Sequence, residues 1–250
     1  MPPATVHASP KIIVGNYKGK KIAIFTGRIH RYEGYTTYEM NLMGLLAGLL
    51  GAQWLIVTNA AGGCLPGMTT GSLMLINDHV NSIGSDYLKT IKCDPRLFPE
   101  ESFDTKKCYS EEGLQLARDA AKACGISIFE GTYFMASGPT YETFLEAKGA
   151  ERLGAGALGM STVPEAMTAR AIGLKVIAFS MISNPASFLS PCELNDDDVR
   201  DASKKAIPNL REIILKIVEN IKPDNARKEK TLKYFSKDQP LPPLLSLTRV

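Results

Sequence analysis

The sequence lacks the features that mark metal, redox and membrane proteins. Its five cysteines are an odd number and form no CxxC pair, so disulfides and a structural zinc site are not expected and a reducing compartment is favoured. It contains no HExxH motif, no Cys/His cluster and no P-loop, so metal and nucleoside triphosphate chemistry have no support. The stretch Met1–His7 has no signal-peptide pattern, and no apolar run approaches the length of a membrane span. These absences predict a cytoplasmic protein with no metal site and no membrane association.

The formal net charge of +3 is unevenly distributed along the chain. Residues 222–250 hold seven Lys/Arg against three Asp/Glu, which leaves the first 221 residues with a formal charge of −1. A body without excess positive charge does not favour nucleic acid as a partner. We interpret residues 222–250, which are rich in Lys and Pro, as a basic tail that is mobile or loosely docked.

The length and composition suit one domain. With 250 residues, 44% of them hydrophobic and 22% charged, the chain can bury a sizeable core. The tail is the only linker-like stretch, so we predict a single domain over residues 1–221.

Apolar runs of strand length alternate with longer segments of helical period. The predicted strands are Ile22–Phe25, Trp54–Val57, Leu73–Ile76, Ile126–Met135 and Lys175–Ile182. The predicted helices are Thr37–Leu50, Ser110–Cys124, Tyr141–Leu153, Pro164–Gly173 and Asp196–Ile221, the last containing Pro208. Strands that are apolar on both faces and alternate with helices predict an α/β fold with a mixed, mostly parallel central sheet and helices on both faces.

Polar strings follow three of the predicted strands. Gly27 and Arg28 follow the first, Asn59–Gly63 follows the second, and Ser183–Asn184 follows the last. In sheets of this kind ligands bind at the carboxyl ends of the strands. The sequence therefore predicts that these strings line one site.

The string after the first strand is suited to an anion. Arg28, His30, Tyr32 and Glu33 lie within six positions, and arginine offers a planar fork for oxyanions while histidine offers a second donor. A lone His30 would be typical of a structural histidine, and a solvated loop is the alternative for the whole string. Because Arg28 lies two residues before His30, a phosphate site is favoured over either alternative.

Two further strings bring backbone groups to the same kind of ligand. The small residues of Asn59–Gly63 allow close approach to the backbone, although a plain turn explains them as well. Ser161 precedes a helix that starts at Pro164, where a serine is commonly an N-cap. Capping and phosphate binding are compatible, because both use the donors at a helix start.

A flat heterocycle would need different groups, and two candidates are present. Glu142, beside Tyr141, combines an acceptor with an aromatic ring, and Asn184 offers an amide that both donates and accepts. The plain alternatives are an acidic first turn of a helix and an ordinary turn. Gly154–Gly159 matches the GxGxxG pattern, but a helix precedes it, so we interpret it as glycine-rich packing ahead of a short strand and not as a nicotinamide site.

Taken in order, these strings resemble the trimeric purine nucleoside phosphorylases of the 6-oxopurine type. The matching segments are Gly27–Tyr35, Val57–Gly63, Glu130–Tyr133, Gly138–Thr143 and Leu158–Glu165. The resemblance extends from about Gly19 to Ile221. It implies a transferase of purine salvage that converts inosine or guanosine to the free base and ribose 1-phosphate, with inorganic phosphate as co-substrate, no cofactor and a homotrimeric assembly.

The resemblance also implies roles for individual residues. Those implied to hold phosphate are Arg28, His30, Ser161 and the backbone at Ala60. Those implied to contact the ribose are Tyr32, Met160, Asp196 at the 5′-hydroxyl, and Phe98 from a neighbouring subunit. Those implied to hold the base are Tyr141, Glu142 and Asn184. His30, Glu142 and Asn184 would carry the catalysis, and an asparagine at residue 184 is typical of a 6-oxopurine reader.

The family pattern includes an earlier strand and a Gly-Ser-Gly-Leu-Gly-type loop that also binds phosphate, and the present sequence does not contain this loop. The domain is therefore expected to be N-terminally short. The alternative function is a weakly active or inactive paralogue that binds purine nucleoside or phosphate, or that serves as a subunit of a hetero-oligomer.

Overall fold

The computed structural model describes residues 11–84, 106–186 and 196–223, with the backbone alone for residues 196–203. Its strands are β1 (Ile12–Tyr17), β2 (Lys20–Phe25), β3 (Trp54–Gly63), β4 (Leu73–Asn81), β5 (Phe129–Met135), β6 (Ala155–Gly159) and β7 (Lys175–Pro185). Its helices are α1 (Thr37–Met40), α2 (Leu42–Leu49), α3 (Glu111–Ala123), α4 (Phe144–Arg152), α5 (Val163–Ala171) and α6 (Asp196–Asn220), with a 3-10 turn at Arg31–Glu33. None of the described helices combines the length and the apolar character needed to cross a membrane.

Five strands form a closed sheet in the order β3-β6-β5-β4-β7. Three neighbouring pairs are parallel, namely β3 with β7, β4 with β5, and β5 with β6, and the other two pairs are antiparallel. The predicted α/β class with a mixed, mostly parallel sheet flanked by helices is therefore confirmed. Helices α3 and α6 pack together and on β7, while α5 packs on β3 and β7 and carries α2 on its other side.

The sheet closes where two strands meet at their carboxyl ends. Strands β3 and β6 pair at two positions, Gly62 with Leu158 and Gly63 with Ala157. Because the pair is antiparallel, the residues that follow β6 run back alongside the middle of β3, where Asn59 Nδ2 donates to Thr162 Oγ1 at 2.9 Å. The closure therefore gathers polar strings from distant parts of the sequence.

Glycines allow the strands to approach one another at this closure. A Cβ added to Gly156 would lie 2.9 Å from Met74 Sδ and 3.4 Å from the Cα of Gly131. The segment Gly154–Gly159 thus packs tightly, as predicted, but it contains all of strand β6 and does not precede a strand. A run of small residues carries a weak strand signal, because the prediction of a strand from sequence depends on large apolar side chains.

The strands next to the site are longer than the sequence predicted. Strand β3 continues through Asn59 to Gly63, and β7 continues to Pro185. The sequence analysis ended both strands before these polar strings and gave a turn as the plain alternative for each, since the strings lack large apolar residues. Pairing across the closed sheet keeps them extended, because the backbone hydrogen bonds to β6 and β7 do not depend on apolar side chains.

Helix starts follow their capping residues. Ser110 Oγ accepts from the Gly113 backbone N–H, which confirms the predicted start of α3. Thr143 and Glu146 form a reciprocal capping box, so α4 starts after Glu142 and not at Tyr141 as predicted. The predicted helix Thr37–Leu50 is divided at Asn41, whose buried side chain accepts from Thr168 Oγ1 at 2.9 Å.

A hairpin that the sequence analysis did not predict lies outside the closed sheet. Strand β1 pairs with β2 alone, through a two-residue turn at Lys18 and Gly19 with φ of 47° and 78°. Lys20 Nζ donates to the carbonyls of Val218 and Glu219, at 2.7 and 2.6 Å, and so caps the carboxyl end of α6. Arg28, which follows β2, therefore enters the site from a separate two-stranded sheet and not from the closed one.

We expect Gly44→Ala to lower the free energy of unfolding by about 1–3 kcal/mol through overpacking between α2 and α5. A Cβ at residue 44 would lie 2.8 Å from Thr168 Cβ and 3.1 Å from the backbone oxygen of Glu165. Gly149→Ala in α4 is the matched control, because nothing lies within 4 Å of its added Cβ. This control should stabilise by up to about 1 kcal/mol. Urea unfolding measures both, and equal effects would contradict the close packing of the two helices.

Candidate active site

Arg28 makes three hydrogen bonds in a polar network whose other side chains are buried. Its Nη1 donates to Ser161 Oγ at 2.7 Å and to Thr162 Oγ1 at 3.1 Å, and its Nη2 donates to the Thr58 carbonyl at 2.6 Å. These partners lie on β3 and at the start of α5, so one side chain joins three separate segments. The structure thus brings together the two residues, Arg28 and Ser161, that the sequence predicted to share a phosphate.

Glu165 is the acidic partner of this arginine. Its Oε1 lies 3.5 Å from Arg28 Nε, and the two side chains are 4% and 16% exposed. Its Oε2 is buried without a hydrogen-bond partner among the described residues. An arginine charge so far from water needs a compensating group, and this carboxylate supplies it when no anionic ligand is bound.

The chain turns sharply between Ser161 and α5. Thr162 has φ 74° and ψ −44°, and the Val163 N–H donates to the Ser161 carbonyl at 2.8 Å. This is a three-residue turn in a sparsely populated backbone conformation. The N-cap of α5 is Thr162 and not Ser161, and its side chain makes no capping hydrogen bond. Ser161 is therefore not held by capping, and its hydroxyl faces Arg28.

Tyr133 fixes the backbone of Ser161. The Ser161 N–H donates to the hydroxyl of Tyr133 at 3.2 Å, and burial raises the pKa of this phenol to about 12. A Cβ on Gly159 would lie 2.3 Å from the same hydroxyl oxygen, so only glycine fits there. The Tyr133 hydroxyl therefore holds the Ser161 backbone N–H in place, and Gly159 leaves the space that this hydroxyl needs.

His30 lies next to this network and is oriented by Glu33. The distance between His30 Nδ1 and Glu33 Oε1 is 2.8 Å, and the imidazole stacks on the Tyr32 ring with 4.9 Å between centroids. Burial lowers the pKa of His30, although Glu33 opposes the shift. The imidazole is therefore neutral at pH 7, with the proton on Nδ1 facing the carboxylate.

Tyr32 and Met160 meet at Gly138. A Cβ added to Gly138, which has φ 69°, would lie 2.5 Å from Met160 Sδ and 2.7 Å from Tyr32 Cδ1. The loop before Glu142 thus packs against both residues that were expected to contact a ribose. Its glycine is required twice, for the backbone conformation and for the close approach.

Glu142 and Asn184 lie beside the last residues of β3. Burial raises the pKa of Glu142, whose Oε1 is buried without a described hydrogen-bond partner. Burial, with smaller contributions from the charges of Glu142 and Glu151, raises the pKa of the Cys64 thiol to about 12. On the other side, Asn184 Nδ2 lies 3.3 Å from where a Cβ of Gly62 would be. Both predicted base-binding residues therefore meet the end of one strand.

The side chain of Asn184 is held from two sides. Ser183 Oγ donates to its Oδ1 at 2.5 Å, and its Nδ2 donates to the Pro185 carbonyl at 2.8 Å. One amide hydrogen and one lone pair remain for a ligand after these two bonds. The side chain is 7% exposed in total.

Two other predicted residues, Ala60 and Tyr141, are exposed. Ala60 lies exposed on β3, two residues before the pairing with β6 begins, and Tyr141 is 41% exposed at the entrance to α4. Phe98 and the side chain of Asp196 lie outside the described residues, as does the tail from residue 224 onward.

The sequence analysis missed the residues that hold the network together. Asn59, Tyr133, Thr162 and Glu165 were quoted inside matching strings but received no role. The signal that could have found them is the density of polar side chains in segments that are otherwise small or apolar, since a buried polar group needs a partner. Which partner it meets depends on the tertiary structure.

Comparisons with known proteins show which family the chain resembles. A sequence model described as the Phosphorylase superfamily matches residues 1–219. Purine nucleoside phosphorylase 1 of Geobacillus stearothermophilus is 35% identical, over 84% of this chain and 76% of its own. Purine nucleoside phosphorylase of Rattus norvegicus is 36% identical, over 89% and 79%.

A solved structure shows the same fold. The crystal structure of Schistosoma mansoni purine nucleoside phosphorylase in complex with inosine superposes with a TM-score of 0.81 at 28% sequence identity, and covers 88% of this chain and 79% of that one. Together with the matches above, this likeness places the chain among the purine nucleoside phosphorylases of the phosphorylase superfamily.

Proposed function

We propose that this chain catalyses the phosphorolysis of 6-oxopurine nucleosides such as inosine and guanosine, and releases the free base and ribose 1-phosphate. The observation that carries the proposal is the network in which Arg28 binds Ser161 and Thr162 at the start of α5. Tyr32 and Met160, which follow Arg28 and precede Ser161 in the chain, both pack against Gly138. An anion held there would lie beside the surface expected to carry the sugar.

Phosphate binding needs donors and a site that faces no uncompensated negative charge. Arg28 and Ser161 supply side-chain donors, the start of α5 supplies backbone N–H groups, and His30 adds a polar ring beside them. Glu165 is already paired with Arg28. Inorganic phosphate is the co-substrate in this proposal, and no cofactor takes part.

The chemistry would follow from placement alone. Phosphate attacks C1′ of the ribose while the bond to the purine breaks, and the sugar develops positive charge in the transition state. An anion fixed beneath that carbon stabilises this charge, and the ordered contact between the two reactants removes much of the entropic barrier.

The base would be held by Glu142 and Asn184. A 6-oxopurine presents an N–H at N1, which suits the unpartnered carboxylate oxygen of Glu142. Asn184 can donate to N7 or accept from it, because one hydrogen and one lone pair of its amide remain available. The Schistosoma mansoni relative in the inosine complex binds a nucleoside of this class.

A homotrimer is part of the proposal. The start of α4 exposes large apolar side chains next to Glu142: Tyr141 is 41% exposed, Phe144 64% and Leu145 73%. Contact with a second copy would cover them and would allow Phe98 of a neighbouring subunit to reach the ribose. We further propose a cytoplasmic role in purine salvage, which the reduced cysteines favour.

The direct test is the release of hypoxanthine from inosine by the purified 250-residue chain, with and without inorganic phosphate. We expect release that depends on phosphate and that yields ribose 1-phosphate in equal amount. Binding of inosine without any phosphate-dependent product would instead support the inactive, nucleoside-binding alternative.

Glu142→Gln should lower kcat/KM for inosine by about 10- to 100-fold, because a neutral amide replaces an acceptor that is charged. The pKa of Glu142 is raised, so the wild-type carboxyl takes up its proton at a higher pH than an exposed glutamate. As the pH falls, the wild type should therefore lose affinity for inosine, and E142Q should not show this acid limb. Glu151→Gln, which removes a half-buried carboxylate of α4 that pairs with Lys148 at 2.9 Å, is the control. An acid limb of equal size in E142Q would remove Glu142 from the base site.

Asn184→Asp should shift the preference from inosine towards adenosine by about 100-fold or more, because an aspartate accepts from a 6-amino purine and repels the 6-oxo pattern. The ratio of kcat/KM for the two nucleosides measures the shift. Asn16→Asp in the turn of the β1–β2 hairpin adds the same charge far from the site and keeps the acceptor that bonds Gly19. If N184D and N16D give the same ratio as the wild type, Asn184 does not read the base.

A further inference from the structure

Thr162 occupies a conformation that a β-branched residue rarely adopts. Its φ of 74° lies in the left-handed range, it is fully buried, and it is the centre of the turn that joins Ser161 to α5. Strain of this kind persists only where the surroundings hold it in place. The hydrogen bonds of its side chain indicate what this conformation does for the site.

Both lone pairs of the Thr162 hydroxyl are filled. Asn59 Nδ2 donates to Thr162 Oγ1 at 2.9 Å, and Arg28 Nη1 donates to the same oxygen at 3.1 Å. A hydroxyl has two lone pairs and one hydrogen, so the hydrogen of Thr162 must be donated. The acceptor within reach among the described residues is Ser161 Oγ, at 3.3 Å.

The lone pairs and the hydrogen of the Ser161 hydroxyl can be counted in the same way. Its Oγ accepts from Arg28 Nη1 at 2.7 Å and from the Thr162 hydroxyl, so its two lone pairs are filled as well. Its own hydrogen is left for the Tyr133 hydroxyl, with which the Ser161 side chain also interacts, or for an anion bound beside Arg28. Arg28 and Ser161 together therefore present hydrogens and no lone pairs, a surface that suits an acceptor-only oxyanion.

We propose that Thr162 is a positioning residue that fixes the Ser161 hydroxyl as a permanent donor to phosphate, and that Asn59 enforces the direction of this chain of hydrogen bonds. Thr162 itself does not touch the anion. The inference rests on the phosphate site of the proposed function and adds the residues that determine its polarity.

Thr162→Val tests this, because it keeps the β-branched shape and removes the hydroxyl. We expect KM for phosphate to rise by about tenfold or more, the effect of one misdirected hydrogen bond to a charged group, while KM for inosine changes by less than about twofold. Thr162→Ser restores the hydroxyl and should return KM for phosphate to near the wild-type value. The matched control is Thr168→Val, which removes another fully buried hydroxyl from α5, one that donates to Asn41. It should lower thermal stability and leave KM for phosphate unchanged.

Asn59→Leu tests the direction of the chain with Thr162 intact, and so applies even if T162V does not fold. It frees one lone pair on Thr162, which can then accept the Ser161 hydrogen, so KM for phosphate should rise here too. The double variant should be no worse than T162V alone, because both changes act through one path. Additive effects, or T162S as impaired as T162V, would overturn the proposal.

Calorimetric titration with inorganic phosphate separates this proposal from the proposed function. A wild type that binds phosphate without turning over inosine would contradict phosphorolysis, yet weaker binding by T162V would still support the role of Thr162. Equal phosphate affinity of the wild type, T162V and N59L would overturn that role, whatever the turnover. A wild type that neither binds phosphate nor acts on inosine would overturn both.

Discussion

One buried positive charge holds the candidate site together. The Arg28 guanidinium bonds two hydroxyls at the start of α5 and a carbonyl of β3, and pairs with Glu165. An arginine with so little exposure to water is stable only if its donors are engaged and its charge is balanced. Each partner is therefore fixed by the same requirement, and the loop after β2 is tied to the closed sheet by this one side chain.

The closed sheet gives that charge its surroundings. Its two oppositely directed sets of strands meet where Gly62 and Gly63 pair with β6, so the residues that follow β6 and those at the ends of β3 and β7 come together. Bulky residues at Gly156 or Gly159 would collide with Met74 or Tyr133 and move the strands apart. Close packing of small residues is thus what brings the proposed phosphate-binding and base-binding residues close together.

The polarity of the site is complementary to its proposed ligands. On the proposed phosphate side Arg28 and Asn59 donate to Thr162 Oγ1 and Arg28 also donates to Ser161 Oγ, so that the proposed direction of the hydrogen bonds leaves the Ser161 hydrogen for an anion. On the base side Glu142 keeps an unpartnered oxygen, and burial raises its pKa, which reflects the cost of holding a charge there. Donors around Ser161 and an acceptor at Glu142 match a proposed nucleoside substrate that meets an anion on one side of its sugar.

The sequence by itself determined the α/β class, the capped start of α3 at Ser110, and the strings that carry Arg28, Ser161, Glu142 and Asn184, because apolar periodicity, caps and concentrated polar residues are local signals. It did not determine that Asn59–Gly63 and Ser183–Pro185 are strand residues, that Arg28 comes from a separate hairpin, or that Asn59, Thr162 and Glu165 govern the polarity of the site. Only the tertiary structure decided these, since backbone pairing across the closed sheet and the partner of each buried polar group depend on residues more than a hundred positions apart in the chain.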